Sequence, residues 1–225
     1  MRNRLSVVCV LGAVLAVATS GVARADTTLG SLAIPSGSTP GACEAAVIAQ
    51  VDSDSSTPYT VPSPGTITSW RINGLAAPNV PVSLVVLKNI GGLSYTVVGV
   101  DTHVTPSPVP DVVSFTVASP IAVSGGEILG LYDTGSNFVC YFHGGDTPAT
   151  DGLIALENDS IPTPNQGLTE NDDSGGGYTL NLAATLTPNP APPSATTKKK
   201  CKKKKKHKHS AESAKKKHCK KHKKK

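Results

Sequence analysis

The sequence predicts an all-β protein built as a single antiparallel β-sandwich, and three observations carry that expectation. Short runs of β-branched and aromatic residues recur between residues 26 and 186, and clusters of Gly, Pro, Ser and Asp separate them. No segment sustains a 3.6-residue apolar period over the length of a helix.

The elements follow in chain order. Residues 1–25 combine Arg2 and Arg4, an apolar run over residues 5–18 and the small-residue site Ala23-Arg24-Ala25. These are the three parts of a secretory signal peptide, with cleavage expected before Asp26. The run of 14 residues falls short of the roughly 20 that a membrane-crossing helix needs, so no transmembrane segment is expected. The β-sandwich domain is expected over residues 26–186, with strands at residues 46–51, 66–72, 82–88, 95–100, 112–117, 128–132, 138–142, 153–156 and 178–186. The runs 82–88 and 95–100 flank Gly91-Gly92, whose tolerance of positive φ predicts a hairpin. Prolines 62, 64, 106, 108, 110, 120 and 148 are expected between strands, where their missing amide hydrogen costs no ladder bond.

Residues 187–197 form a linker with prolines at 188, 190, 192 and 193. Such a stretch favours extended polyproline geometry at ~3.1 Å per residue. Residues 198–225 carry seventeen lysines and one acid, Glu212, for a net charge of +16. The lysines are Lys198, Lys199, Lys200, Lys202, Lys203, Lys204, Lys205, Lys206, Lys208, Lys215, Lys216, Lys217, Lys220, Lys221, Lys223, Lys224 and Lys225. With almost nothing apolar to bury and strong self-repulsion, this tail is expected to be disordered, as are the ends of the chain generally. The domain before it is the electrostatic opposite. Between residues 26 and 197 only Arg71 and Lys88 oppose 15 acidic side chains, for a net charge of −13.

Of five cysteines, Cys9 falls in the signal peptide, which leaves Cys43, Cys140, Cys201 and Cys219. Four cysteines allow three connectivities. Two lie in the domain and two in the tail, so the expected disulfides in an oxidising compartment are Cys43 with Cys140 and Cys201 with Cys219.

Gly65-Thr-Ile-Thr-Ser-Trp-Arg71, Val82-Ser-Leu-Val-Val-Leu87, Tyr95-Thr-Val-Val-Gly99 and the segment from Pro120 to Leu131 resemble elements of uncharacterised secreted jelly-roll-like β-sandwich proteins of soil actinobacteria. The lysine blocks around Cys201 and Cys219 resemble endings on exported proteins of the same group. The resemblance implies a jelly-roll-like fold and an exported location, and it carries no activity with it.

Candidate chemistry is sparse. No Gly-x-Ser-x-Gly elbow, His-Glu-x-x-His helix or phosphate-binding glycine loop is present. His103 and His143 are the domain's imidazoles, and His143 is placed to reach Asp146 or Asp151. A solvated loop histidine is the expected role, and no catalytic residue is assigned. Calcium would need several oxygen ligands. The acidic groups available are Asp52 with Asp54, Asp146 with Asp151, and Glu170-Asn171-Asp172-Asp173, the last expected as a solvated turn. In the tail, Cys201, His207, His209, His218, Cys219 and His222 match no zinc-finger spacing, so neither metal nor cofactor is expected. Alternation along residues 66–72 places Trp70 in the core, which leaves Tyr141 and Tyr178 as the better aromatics for an exposed contact.

The expected function is that of an exported, non-enzymatic binding or surface-associated protein. Its lysine tail would attach to anionic cell-envelope polymers, acidic polysaccharide or an anionic lipid surface, with non-specific nucleic-acid binding also within its chemistry. The alternative is a secreted hydrolase acting on glycan or ester.

Overall fold

The computed structural model describes residues 25–51, 58–135, 138–173 and 175–190. The expected signal peptide up to residue 24, Asp52 and Asp54, most of the linker, the lysine tail and the expected pairing of Cys201 with Cys219 lie outside them. The described residues form thirteen strands and no helix. In chain order these are β1 (Thr27–Ser31), β2 (Thr39–Ala42), β3 (Ala46–Gln50), β4 (Gly65–Asn73), β5 (Pro81–Gly91), β6 (Ser94–Val104), β7 (Val112–Val123), β8 (Ile128–Asp133), β9 (Val139–His143), β10 (Leu153–Glu157), β11 (Gly167–Asp173), β12 (Tyr178–Leu180) and β13 (Leu182–Pro188). All pairings between them are antiparallel.

Three sheets result. Strands β1-β13-β4-β7 form a four-stranded sheet, β12-β9-β2 a three-stranded one, and β10-β11-β6-β5-β8-β3 close into a six-stranded barrel. Two sheets thus face each other as in a sandwich, but one has curled shut on itself. The continuous apolar run of β5 explains how. Val82, Leu84 and Val86 join the main core beneath the four-stranded sheet, whereas Val85 and Leu87 point into the barrel. Strands β3 and β8 divide in the same way, with Ile48, Leu129 and Leu131 outside and Val47, Ala49, Ile128 and Tyr132 inside. A strand with water on one face alternates apolar and polar residues, whereas a wall between two cores must be apolar on both faces. Each fully buried Leu, Val or Ile contributes about 1.5–3 kcal/mol.

The hairpin of β5 and β6 forms as expected, with its two-residue turn one position further on, at Gly92-Leu93, and Gly92 at φ +56°. Three strands were not anticipated: β1, β2 and β11. The run 178–186 divides into β12 and β13 at Asn181, and β13 continues to Pro188, which pairs with Gly65. The first two residues of the expected linker are therefore strand. Pro120 lies inside β7 rather than between strands. It is tolerated because β7 is an edge strand whose register against β4 shifts between Ile121 and Thr116, so the missing amide breaks no ladder bond.

Asn181 marks the point where the chain passes from one sheet to another. Its side chain is fully buried, accepts from the Asn73 amide at 2.9 Å and donates to the Val139 carbonyl at 2.8 Å, while its own amide donates to the Cys140 carbonyl at 2.7 Å. Gln50 serves the same purpose at the edge of β12, accepting from the Leu180 amide at 2.8 Å and donating to the Tyr178 carbonyl at 3.2 Å. Backbone groups left bare at the sheet junctions are thus satisfied by buried amide side chains.

Candidate functional site

The predicted disulfide between Cys43 and Cys140 is formed, with Cα atoms 5.3 Å apart across 97 positions of sequence. In the chain-entropy account, closing a loop of about 100 residues stabilises by up to ~4.7 kcal/mol. It ties the segment after β2 to β9, and the turn that follows is tight. The Ala46 amide donates to the Cys43 carbonyl at 3.1 Å, and the two central residues, Glu44 and Ala45, lie at φ +56° and +60°. Neither is glycine, so each bears the roughly 1–2 kcal/mol cost of a left-handed backbone. The Ala45 amide donates to the Asp133 carbonyl at 3.2 Å, which together with the disulfide holds the turn in place.

This turn forms one lip of a cavity of about 230 Å³. Ile48 of β3 with Leu153 and Ala155 of β10 make its floor from the outer wall of the barrel, Asn171 and Asp172 of β11 its far rim, and Tyr141 of β9 its side. The Tyr141 ring lies directly over Gly41 of β2, where a Cβ would stand 2.3 Å from the ring. Only glycine allows β2 to pass beneath it. Tyr141 belongs to a group of three half-buried rings, with Tyr178 at 5.7 Å and His143 at 6.2 Å between centroids. Burial, followed by the neighbouring Tyr178 hydroxyl and the carboxylates of Glu44 and Asp172, pushes the Tyr141 hydroxyl above its ordinary pKa, so at neutral pH it keeps its proton.

A second cavity, also about 230 Å³, is lined by Ser31, Tyr59, Asp146, Asp151, Thr179 and two prolines. It brings together Asp146 and Asp151, as the sequence reading paired them. Tyr59 closes it from beneath, accepting from the Ser31 amide at 3.1 Å and donating to the Leu180 carbonyl at 2.6 Å. Among the described residues no group of three or more His, Cys, Asp or Glu is gathered to hold a metal ion.

The other candidates are placed as follows. Trp70 is fully buried, as alternation predicted. His143 is the last residue of β9 rather than a loop residue, and it joins the tyrosine group. Glu170-Asn171-Asp172-Asp173 is part of strand β11, not a turn, because residues 167–169 pair with Thr96, Tyr95 and Ser94 of β6 and close the barrel. His103 meets Asp101, a residue the sequence reading passed over, at 2.8 Å. The signal for Glu44 was equally hidden, since a lone acidic residue after a cysteine carries no motif.

Searches of protein-family models, curated proteins and solved structures find no match to this chain. The site is therefore defined by its own geometry.

Proposed function

We propose that this is an exported, non-enzymatic binding protein whose lysine tail attaches it to anionic polymers of the cell envelope or its surroundings. The observation that carries the reading is the segregation of charge, −13 over residues 26–197 against +16 over residues 198–225. A formed disulfide fits an oxidising compartment, and among the described residues no helix is long and apolar enough to cross a membrane. Lysine is a mobile point charge without the planar fork of arginine, and the tail has no Phe, Tyr or Trp to stack on bases. Its affinity is accordingly electrostatic and indifferent to sequence, and it rises from counterion release.

The test compares the full chain with a form lacking residues 198–225 on teichoic acid, anionic vesicles and duplex DNA across a salt series. The full chain is expected to bind all three, with log K on DNA falling against log salt at about −0.9 per phosphate neutralised. Equal affinity of the two forms, or affinity insensitive to salt, overturns the reading. Turnover of glycan or ester substrates by either form would instead support a secreted hydrolase.

A further inference from the structure

The cavity beside Tyr141 is amphipathic in a specific way. Half-buried Ala42 and Ala155 give it a small apolar floor over the buried Ile48, Leu153 and Cys43 disulfide, Tyr141 makes an aromatic wall, and Glu44, Asn171 and Asp172 form a rim of hydrogen-bonding groups. We infer that this cleft is a binding site for a neutral saccharide, with C–H groups of the sugar against the apolar floor and Tyr141, and its hydroxyls on Glu44, Asn171 and Asp172. This inference goes beyond the tail-based function and stands independently of it.

The donor and acceptor inventory selects the ligand class. Ionised Glu44 and Asp172 only accept, Asn171 both donates and accepts, and the protonated Tyr141 hydroxyl does likewise. A ligand satisfying them must offer several donors close together, which adjacent hydroxyls do. Both carboxylates repel an acidic saccharide, and neither Arg71 nor Lys88 lines the cleft to offset them. A dication would want six to eight oxygens, and the floor of the cleft supplies aliphatic carbon instead. An organic cation could pair with Glu44 and Asp172, but an ammonium only donates and would leave the Tyr141 hydroxyl and the Asn171 amide donors without an acceptor, whereas a sugar hydroxyl both donates and accepts. The disulfide and the Glu44-Ala45 turn fix the backbone that carries Glu44 before any ligand arrives, which lowers the backbone share of the ordering cost of binding.

The experiment uses the full chain, isotope-labelled and oxidised, titrated with the methyl glycosides of glucose, mannose and galactose, with N-acetylglucosamine, and with cellotetraose and chitotetraose. Cadaverine and calcium chloride are run in parallel. At least one neutral glycan is expected to shift the amides of Glu44, Ile48, Tyr141 and Asp172 together. Asp172→Asn and Tyr141→Ala are each expected to weaken that binding about tenfold, the loss of one hydrogen bond to a charged group or of one ring contact. Asp172 is exposed, so Asp172→Asn carries the test if Tyr141→Ala fails to fold. The inference is overturned if no glycan moves these amides, if cadaverine or calcium moves them and the glycans do not, or if Asp172→Asn binds as tightly as the original. Neutral glycans carry no charge for the lysine tail to attract, so a negative result here leaves the polyanion reading standing, and a failure of that reading leaves this one untouched.

Discussion

The indole nitrogen of Trp70 and the imidazole of His103 meet on one oxygen of Asp101, at 2.7 and 2.8 Å, while the other oxygen accepts from the Ala118 amide at 3.2 Å. Strand β6 is able to supply both Asp101 and His103 to this junction because of a bulge. Val86 pairs with Gly99 and Leu87 with Val97, so Val98 is an extra residue. Tyr95 and Val97 point into the barrel before it, and after it Asp101 and His103 face outward, against Trp70 of β4 and Phe115 of β7. The His103 ring stacks on Phe115 at 4.7 Å.

Asp101 therefore ties the barrel to the four-stranded sheet, and its removal should cost more than removal of His103. Asp101→Ala leaves the Trp70 N–H buried without an acceptor and is expected to destabilise by about 2–3 kcal/mol. His103 is 30% exposed, so water can replace its hydrogen bond to Asp101, and His103→Ala should cost about 1 kcal/mol, chiefly the ring contact with Phe115. Urea unfolding followed by the fluorescence of Trp70, the single tryptophan, measures both. Equal costs for the two variants would show that Asp101 is not the tie.

The turn at Glu44-Ala45 gives a prediction of opposite sign. Ala45 sits at φ +60°, a conformation glycine adopts freely. Ala45→Gly recovers the roughly 1–2 kcal/mol of left-handed strain and loses about 0.4–1 kcal/mol through the greater freedom of the unfolded chain. A net gain between about 0 and about 1.6 kcal/mol is expected, where glycine substitutions at ordinary positions destabilise. Thermal melting of the oxidised protein decides it, and a lower melting temperature would mean that the turn is not strained.

How far the fold was legible depends on whether period 2 was kept. Strands β5, β8 and β9 were readable because apolar runs or clean alternation continue through them. β6 was readable only up to Val100, because the bulge at Val98 breaks the alternation that would have placed Asp101. β11 was missed since Glu170, Asn171, Asp172 and Asp173 resemble a turn, and only pairing with β6 and β10 makes them a strand. β1 and β2 are short, and Gly30, Pro40 and Gly41 weaken their local preference. The aromatic half of the candidate site was visible in Tyr141 and Tyr178. Of its acidic half, Asp172 was visible only as part of an expected acidic turn and Glu44 not at all, because the two are brought to Tyr141 by barrel closure and by the disulfide turn, and neither is a local property of sequence.

The carboxyl groups at the two ends of β8, Glu127 just before it and Asp133 as its last residue, have pKa values displaced in opposite directions. Burial alone would raise the pKa of Glu127, but the Ser124 hydroxyl, the Ser124 amide at 3.0 Å and the Gly125 amide at 2.7 Å donate to it and bring it below its ordinary value. Asp133, at the other end, is raised by burial. Among the described residues its oxygens have no partner in hydrogen-bonding geometry, and the nearby Thr134 and Gly135 amides offset the burial only in part. For Glu127 the folded value is depressed, so its contribution is complete above the unfolded pKa and is lost as pH falls through the folded one. For Asp133 the folded value is elevated, so its favourable contribution is complete below the unfolded pKa and is lost as pH rises through the folded one. Glu127→Gln should therefore destabilise at pH 7, by about 1–3 kcal/mol for the weakened charged hydrogen bonds, and the difference should shrink as pH drops below the ordinary carboxylate range. Asp133→Asn should be neutral or stabilising at pH 7 and lose that advantage in acid, where the native carboxyl is already protonated. Urea midpoints of the three proteins from about pH 2.5 to about pH 8, a range that brackets the ordinary carboxylate pKa values, test both signs at once. Parallel curves for Glu127→Gln and the original, or an Asp133→Asn that is less stable at pH 7 than at pH 3 relative to the original, would refute the assigned environments.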